Sequence, residues 1–373
     1  LGVMNPENYF IGSLDYSGRY LKNALILSTY YEAGSGMEQK KQFSFLKVLD
    51  GHGTHVWNDY NNNGVEEINE FEIAAFQDQA NYVKVWIASN DFMNTYNTQF
   101  TQKIQFRPAN LWRHKKGFLK FLSRFSNLAS LRIAQKNTLL PIFKALNPFN
   151  FNIKDSNVVS NNLNFINTLS FNQNSSIWGI DYTYKVLQNK VLNFYGSEAS
   201  STIYHDFLCR VKPINPLLLK FNYIYDCSKR LSSAFQINNF TIVSHTAMVS
   251  MLINHSKPID WSVQYLFSWQ NNLIGEEKNL KNSVRFDLNY RMARRGVVGV
   301  RLQYLNLKFL GDENMNVAYQ MLEGFRKGHN LSWYINMQTN LSEFLQLDLK
   351  YEGRVSQHSK IIHLGMLQVK AHF

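Results

Sequence analysis

Residues Asp59-Tyr60-Asn61-Asn62-Asn63-Gly64-Val65-Glu66-Glu67-Ile68-Asn69-Glu70 carry the sharpest metal-type spacing in the chain. They match the calcium-loop pattern D-x-[DN]-x-[DN]-G-x5-E at every specified position. Alternate side chains from Asp59, Asn61 and Asn63 would turn oxygens toward one point, and Gly64 would permit the sharp bend. The carbonyl of Val65 would add a backbone oxygen, Glu67 would ligate through water, and Glu70 would close the site as a bidentate carboxylate. Two of the first three ligands are amides, so the expected calcium affinity is modest. Residues 69–76 read as an exiting helix, but Gly51-His52-Gly53-Thr54-His55 is no entering helix. The expectation is therefore a lone calcium loop rather than a paired EF-hand; the alternative is an Asn-rich turn that binds nothing.

Other constellations carry less. His52 and His55 could imitate a zinc site with Asp59, yet no third strong ligand stands in frame, and they read as exposed loop histidines. There is no G-x-S-x-G, H-E-x-x-H or phosphate-binding glycine loop, and Glu343, Asp348 and Glu352 read as lumen polarity. Nothing in these residues argues for an enzyme. Cys209 and Cys227 flank a turn at Pro213–Pro216, which would set Cys209 opposite a residue near Lys220, not opposite Cys227. A disulfide is not expected.

The elements that must position these residues are strands. Val284, Phe286, Leu288, Tyr290 and Met292 alternate with Ser283, Arg285, Asp287, Asn289 and Arg291. The same period of two runs through 261–270, 331–338 and 345–352, and more weakly through 162–172, 176–188, 200–212, 216–228, 231–242, 245–255 and 297–309. With the last strand this makes about twelve candidates from Asn162 onward, and crossover helices have little room, so the sheet should meander antiparallel. Arg285 with Asp287, and Asp348 with Lys350, look like paired charges on a watery face. At the end, Gly365, Leu367, Val369, Ala371 and Phe373 share one face. Alternation running into a terminal aromatic is the form of a closing outer-membrane strand, and Phe373 resembles the signal by which the barrel-assembly machinery recognises its clients.

Composition agrees. Hydrophobic residues are 45% and aromatics 14% of the chain, yet mean hydropathy is −0.30, as expected when apolar and polar residues interleave. No apolar run is long enough for a transmembrane helix. The net charge of +12 raises nucleic acid as a partner, but the cations read as dispersed in short pairs such as Lys115-Lys116, and no nucleic acid is expected. Leu1 follows no initiator Met or cleavage signal, so the chain reads as a mature product or the C-terminal piece of a longer protein.

Three regions emerge. Residues 1–112 are β-rich and hold the calcium-type loop. Residues 113–161 supply a strand over Lys116–Ile133 and a connection with a short helix before Asn147-Pro148. Residues 162–373 are barrel strands. The segment VWNDYNNNGVEEINEFEIAAFQDQANYVKVW with NTYNTQF, and the later YQMLEGFRKGHNLSWYINMQTNLSEFLQLDLKYEGR, resemble large uncharacterised outer-membrane proteins of the Bacteroidota. The resemblance implies location and fold, not a reaction. The expected fold is an all-β, antiparallel up-and-down transmembrane β-barrel, or a large part of one, with an N-terminal insertion. The expected role in the bacterial outer membrane is structural, conduit or surface presentation, with lipid as partner. The alternative is a soluble, surface-exposed β protein binding glycan or protein.

Overall fold

The computed structural model describes residues 9–40, 42–87, 90–138, 142–149, 157–254, 258–292, 296–342, 344–357 and 359–371. Phe373 therefore lies outside the described residues, as does Glu343. A first hairpin joins β1 (Ile11–Tyr20) to β2 (Leu25–Gln39). An insert follows with four short strands: β3 (Gln42–Lys47), β4 (His55–Trp57), β5 (Phe71–Ile73) and β6 (Tyr82–Ile87). The meander resumes with β7 (Phe92–Phe106), β8 (Phe125–Asn137), β9 (Val158–Phe171), β10 (Trp178–Asn193) and β11 (Gly196–Ile214). Next come β12 (Leu217–Ser232), β13 (Phe240–Asn254), β14 (Ile259–Asn272) and β15 (Lys278–Met292). It ends with β16 (Gly296–Leu310), β17 (Gly328–Asn340), β18 (Leu345–Ser356) and β19 (Ile362–Ala371).

All strands outside the insert form one 15-stranded antiparallel sheet in chain order, the up-and-down topology that short connections and period-two alternation dictate. Four short helices lie in connections: α1 (Ala109–Trp112), α2 (Phe118–Leu122), α3 (Ile142–Ala145) and α4 (Asn316–Leu322). No pairing joins β1 to β19 among the described residues, so the sheet is open there, with β1 and β19 as its two edges. The two edge strands run in the same direction, because they are the first and fifteenth members of an antiparallel series.

The two faces differ in chemistry row by row. On one face Cys209, Phe221, Val249, Tyr265, Val284, Tyr304 and Leu331 stand opposite each other from β11 to β17. One residue along, the other face reads Arg210, Lys220, Ser250, Gln264, Arg285, Gln303 and Ser332. Burial is inverted relative to a water-soluble sheet. Tyr265 and Leu302 on the apolar face are 46% and 47% exposed, whereas Ser268 and Ser283 on the polar face are 4% and 3% exposed. The polar face is the shielded interior. It is crossed by ion pairs such as Arg210–Asp181 (3.2 Å), Arg301–Asp287 (2.7 Å) and Lys370–Asp348 (2.6 Å). The charges thus pair across strands, not along them as Arg285–Asp287 and Asp348–Lys350 would; cross-strand neighbours are nearer than residues two apart on one strand.

Four cross-strand pairs recur on the apolar face. The hydroxyls of Tyr182, Tyr223, Tyr304 and Tyr351 meet Nδ1 of His205, His245, His329 and His363 at 2.8, 2.8, 2.6 and 2.9 Å. Each histidine sits two residues before the tyrosine's direct partner, on the following strand. Tyr184, His205, Tyr225, His245 and Trp269 also form one cross-strand row, with ring centroids 5.0 to 5.8 Å apart.

Connections sort by end. The insert, 233–239, 273–277 and 311–327 leave at one end; 21–24, 107–124 and 172–177 leave at the other, the loop-poor end. Several expectations change in detail. Residues 231–242 and 245–255 are not two strands: 233–239 is a loop, bounded by Ser232-Ser233 and Asn238-Asn239, and one strand, β13, follows. Lys116–Ile133 is not one strand, because Phe118, Phe121, Leu122 and Phe125 also fit a helical spacing and 118–122 coils as α2. Strands β1, β2 and β7 carry the sheet into residues 1–112, leaving 40–91 as the inserted part. Cys209 faces Phe221, one residue from the expected Lys220, Cys227 faces Ile203, and both thiols are free.

Candidate functional site: an insert seated on the polar face

Residues 40–91 fold into a four-stranded sheet of order β3-β6-β4-β5. Its core is aromatic: Phe45 stacks on Phe71 (4.1 Å, 9°), and Phe71 meets Tyr82 edge-on at 4.9 Å. The helix expected over 69–76 is a single 3-10 turn, Ile68–Glu70, followed by β5. Pairing of Phe71, Glu72 and Ile73 with Trp57, Val56 and His55 overrides the local preference.

The loop from Asp59 to Glu70 gathers the sequence-nominated residues. Both carboxylate oxygens of Asp59 accept backbone N–H groups, from Asn63 (3.1 Å) and Gly64 (2.8 Å). The amides of Asn61 and Asn63 both reach the carboxylate of Glu67, at 3.2 and 3.3 Å. Gly64 has φ +72°, the left-handed bend that favours glycine. Val65 is held through its own N–H, which donates to Asn63 Oδ1 at 2.6 Å. Glu70 behaves differently. It is fully buried, and its carboxylate accepts from Trp57 Nε1 (2.8 Å), Tyr60 N (3.2 Å) and Glu67 N (3.4 Å). The closing ligand of the pattern is thus turned into the insert as a cap, while Asp59, Asn61, Asn63 and Glu67 face one another at the surface. No group of three His, Cys, Asp or Glu with metal-binding geometry occurs among the described residues. The loop's remaining donors are amide and backbone oxygens, the hard oxygen ligands calcium takes. His52 is exposed, but His55 is half-buried in β4 against Phe45, not a free loop residue.

The insert docks on the polar face through residues just after the loop. Arg230 Nη1 donates to both carboxylate oxygens of Glu72, at 3.1 and 3.4 Å. Arg354 grips Asp78 with both terminal nitrogens and lies 3.8 Å over the ring of Phe76. Tyr319 of α4 accepts from Ala75 N (2.7 Å) and donates to the Ile73 carbonyl (3.2 Å). Asn238 donates to the carbonyl of Asn69, next to the loop's last residue (2.9 Å). Helix α4 is itself seated where the interior face turns apolar: Val317 and Met321 pack on Phe240 and Ile242, and Ala318 and Leu322 on Leu307.

Between insert and wall lies a cavity of about 290 Å³ lined by Phe43, Phe45, His55, Phe71, Glu72, Lys84, Glu198, Arg230, Phe235 and Tyr319, among others. Its charges are restrained by their surroundings. Burial raises the Glu72 pKa against the pull of Arg230, and burial lowers that of Lys84, whose ammonium sits 3.6 Å over the Phe43 ring. Burial, then Lys84, lowers the His55 pKa. Burial and the Glu66 carboxylate push the Tyr82 phenol up to about 12. Arg230, Arg354 and Tyr319 escaped the sequence reading, since nothing local links positions more than 150 residues from their partners.

No protein-family model matches the chain, and no curated protein matches it. Among solved structures, the chain is similar to the FrpB iron transporter from Neisseria meningitidis (F3-3 variant), at 10% identity and a TM-score of 0.42. The match covers 93% of this chain and 55% of that one, so the chain spans about half the length of that structure.

Proposed function

We propose that the chain is part of the wall of an outer-membrane β-barrel, with the 40–91 insert held over one mouth in a structural, conduit or surface-presentation role. The observation that carries this reading is the inverted burial: an apolar, aromatic-rich face left bare and an ionic face shielded. An exposed apolar surface of this extent is costly in water and stable in hydrocarbon. The thickness fits as well. His205, His245, His329 and His363 stand nine, nine, eleven and eight residues from the loop-poor ends of their strands, at Ile214, Asn254, Asn340 and Ala371. At about 2.5 Å of climb per tilted residue, this band lies roughly 20–28 Å up, close to the apolar height of about 25 Å in such barrels. Trp178, Trp261 and Tyr290 mark the opposite border, at or near the strand ends.

In this reading the partners are lipid on the apolar face and the barrel-assembly machinery at the C-terminal strand. Calcium belongs to the reading as a ligand of Asp59, Asn61, Asn63 and Glu67, with the Val65 carbonyl, and Glu70 recruited from its cap. Membrane fractionation tests the whole. The protein, produced with a secretion signal, should stay in the outer-membrane pellet through alkaline and urea extraction. Release as a soluble monomer would contradict the reading and favour the soluble alternative.

A further inference from the structure

The formal charge of +12 is concentrated, not dispersed. Residues 92–154 contain eleven Lys and Arg and no Asp or Glu. Six of the eleven, Arg107, Arg113, Lys115, Lys116, Lys120 and Arg124, belong to the 107–124 connection at the loop-poor end. In the same connection Phe118 is 71% exposed, and Leu119 and Phe121 are exposed beside it. Phe121 opens an aromatic run that continues through Phe125 and Phe171 to Trp178, at 5.5, 4.7 and 5.5 Å. Next to that run lies a cleft of about 520 Å³, lined by Arg107, Arg113 and Arg124, by Ser123 and Asn174, and by Phe125. Phe125 thus forms a wall of the cleft and a link of the aromatic run.

Water solvates crowded cations but not Phe118, and hydrocarbon does the reverse. The boundary between a bilayer's headgroups and its acyl chains takes both. We propose that 107–124 lies in the headgroup layer at the loop-poor end and binds an anionic lipid with an uncapped phosphomonoester headgroup there. The phosphate occupies the three-arginine cleft, whose guanidinium groups suit bidentate contact with phosphate oxygens. The acyl chains run along Phe118, Phe121 and Phe125. This inference rests on the membrane reading above.

The test uses the chain reconstituted in phosphatidylcholine nanodiscs and titrated with dansyl-labelled phosphatidic acid or dansyl-labelled phosphatidylcholine. Energy transfer from the tryptophans, with Trp112 and Trp178 nearest the cleft, reports binding. The wild type should prefer phosphatidic acid about 25-fold, Arg113 and Arg124 contributing roughly fivefold each. Arg113→Gln with Arg124→Gln should abolish the preference, and millimolar inorganic phosphate should leave it intact. Phe118→Ser should weaken both lipids equally. Equal binding of the two lipids by the wild type, or an unchanged preference in the double variant, would overturn the inference while leaving the membrane reading standing. Displacement by inorganic phosphate would also overturn it, assigning the cleft to the free ion. Failure of the protein to enter nanodiscs at all would contradict the membrane reading itself.

Discussion

Glu70 is the residue on which the proposed calcium uptake by the 59–70 loop turns. Its carboxylate already holds three N–H donors, one from the indole of Trp57. Bidentate closure on an ion would release that indole, so calcium uptake should change Trp57 fluorescence and loosen its contact with Glu70. Calorimetry alongside fluorescence checks this, with Asp59→Asn and Glu67→Gln each expected to weaken uptake about tenfold, as the loss of an anionic ligand does. Absence of heat at millimolar calcium would reduce the motif to a turn. His55 gives a second prediction at this scale. Its pKa is lowered in the folded insert, so the unfolded insert takes the proton first. Insert stability should therefore fall as pH drops below about 6.5, the ordinary imidazole value, and through the lower folded value. Glu72, with its raised pKa, acts in the opposite sense. The discriminating measurement is accordingly the difference between wild type and His55→Gln in protease resistance from pH 8 to 5. Identical pH slopes would remove His55 from the account.

At the scale of elements, the insert is held by few contacts that can be cut singly. Arg354 is 6% exposed and bonds Asp78 through both terminal nitrogens. Arg354→Ala leaves Asp78 unpaired and should cost about 3–5 kcal/mol of docking. Limited proteolysis should then cut within 40–91 while β12 to β15 stay intact; unchanged resistance would place the hold elsewhere. Gly353 has a different duty, since the indole of Trp333 on the facing strand lies where its Cβ would be. Gly353→Ala should destabilise the β17–β18 pair by about 1–3 kcal/mol, read from urea unfolding in detergent. Much of this level was legible in the residues. Alternation such as Val284 to Met292 fixes both strand and face, because a one-residue slip would turn every side chain over. Less was legible where two periods compete, as at Phe118 to Phe125, or where distant pairing decides, as for Phe71–Ile73 against β4. The bend at Gly64 and the gathering of Asp59, Asn61, Asn63 and Glu67 around it were readable in the residues, but the burial of Glu70 was not, because Trp57 and Tyr60 acquire their positions only when β4 and β5 pair. The acid-free stretch from 92 to 154 is present in the sequence as well, but its eleven cations are spread over 63 residues and form no consecutive basic run longer than two.

For the whole molecule, the topology among the described residues leaves β1 and β19 as free edges that run in the same direction. Antiparallel closure between them takes an odd number of additional strands. In the chain as it stands, amides of β1 and β19 should exchange with solvent faster than those of β12 to β15, whose neighbours are paired on both sides. The central claim is that the apolar face meets lipid and the ionic face does not. Leu288 and Asn289 are adjacent in β15 but point to opposite faces, opposite Trp261 and Asp260 respectively. Leu288 is four residues from the Met292 end of its strand, about 10 Å into the proposed apolar band. Urea unfolding of Leu288→Arg and Asn289→Arg in bilayers measures the difference directly. The account predicts a loss of about 2–4 kcal/mol for Leu288→Arg and almost none for Asn289→Arg. Equal tolerance of arginine at the two positions would contradict it.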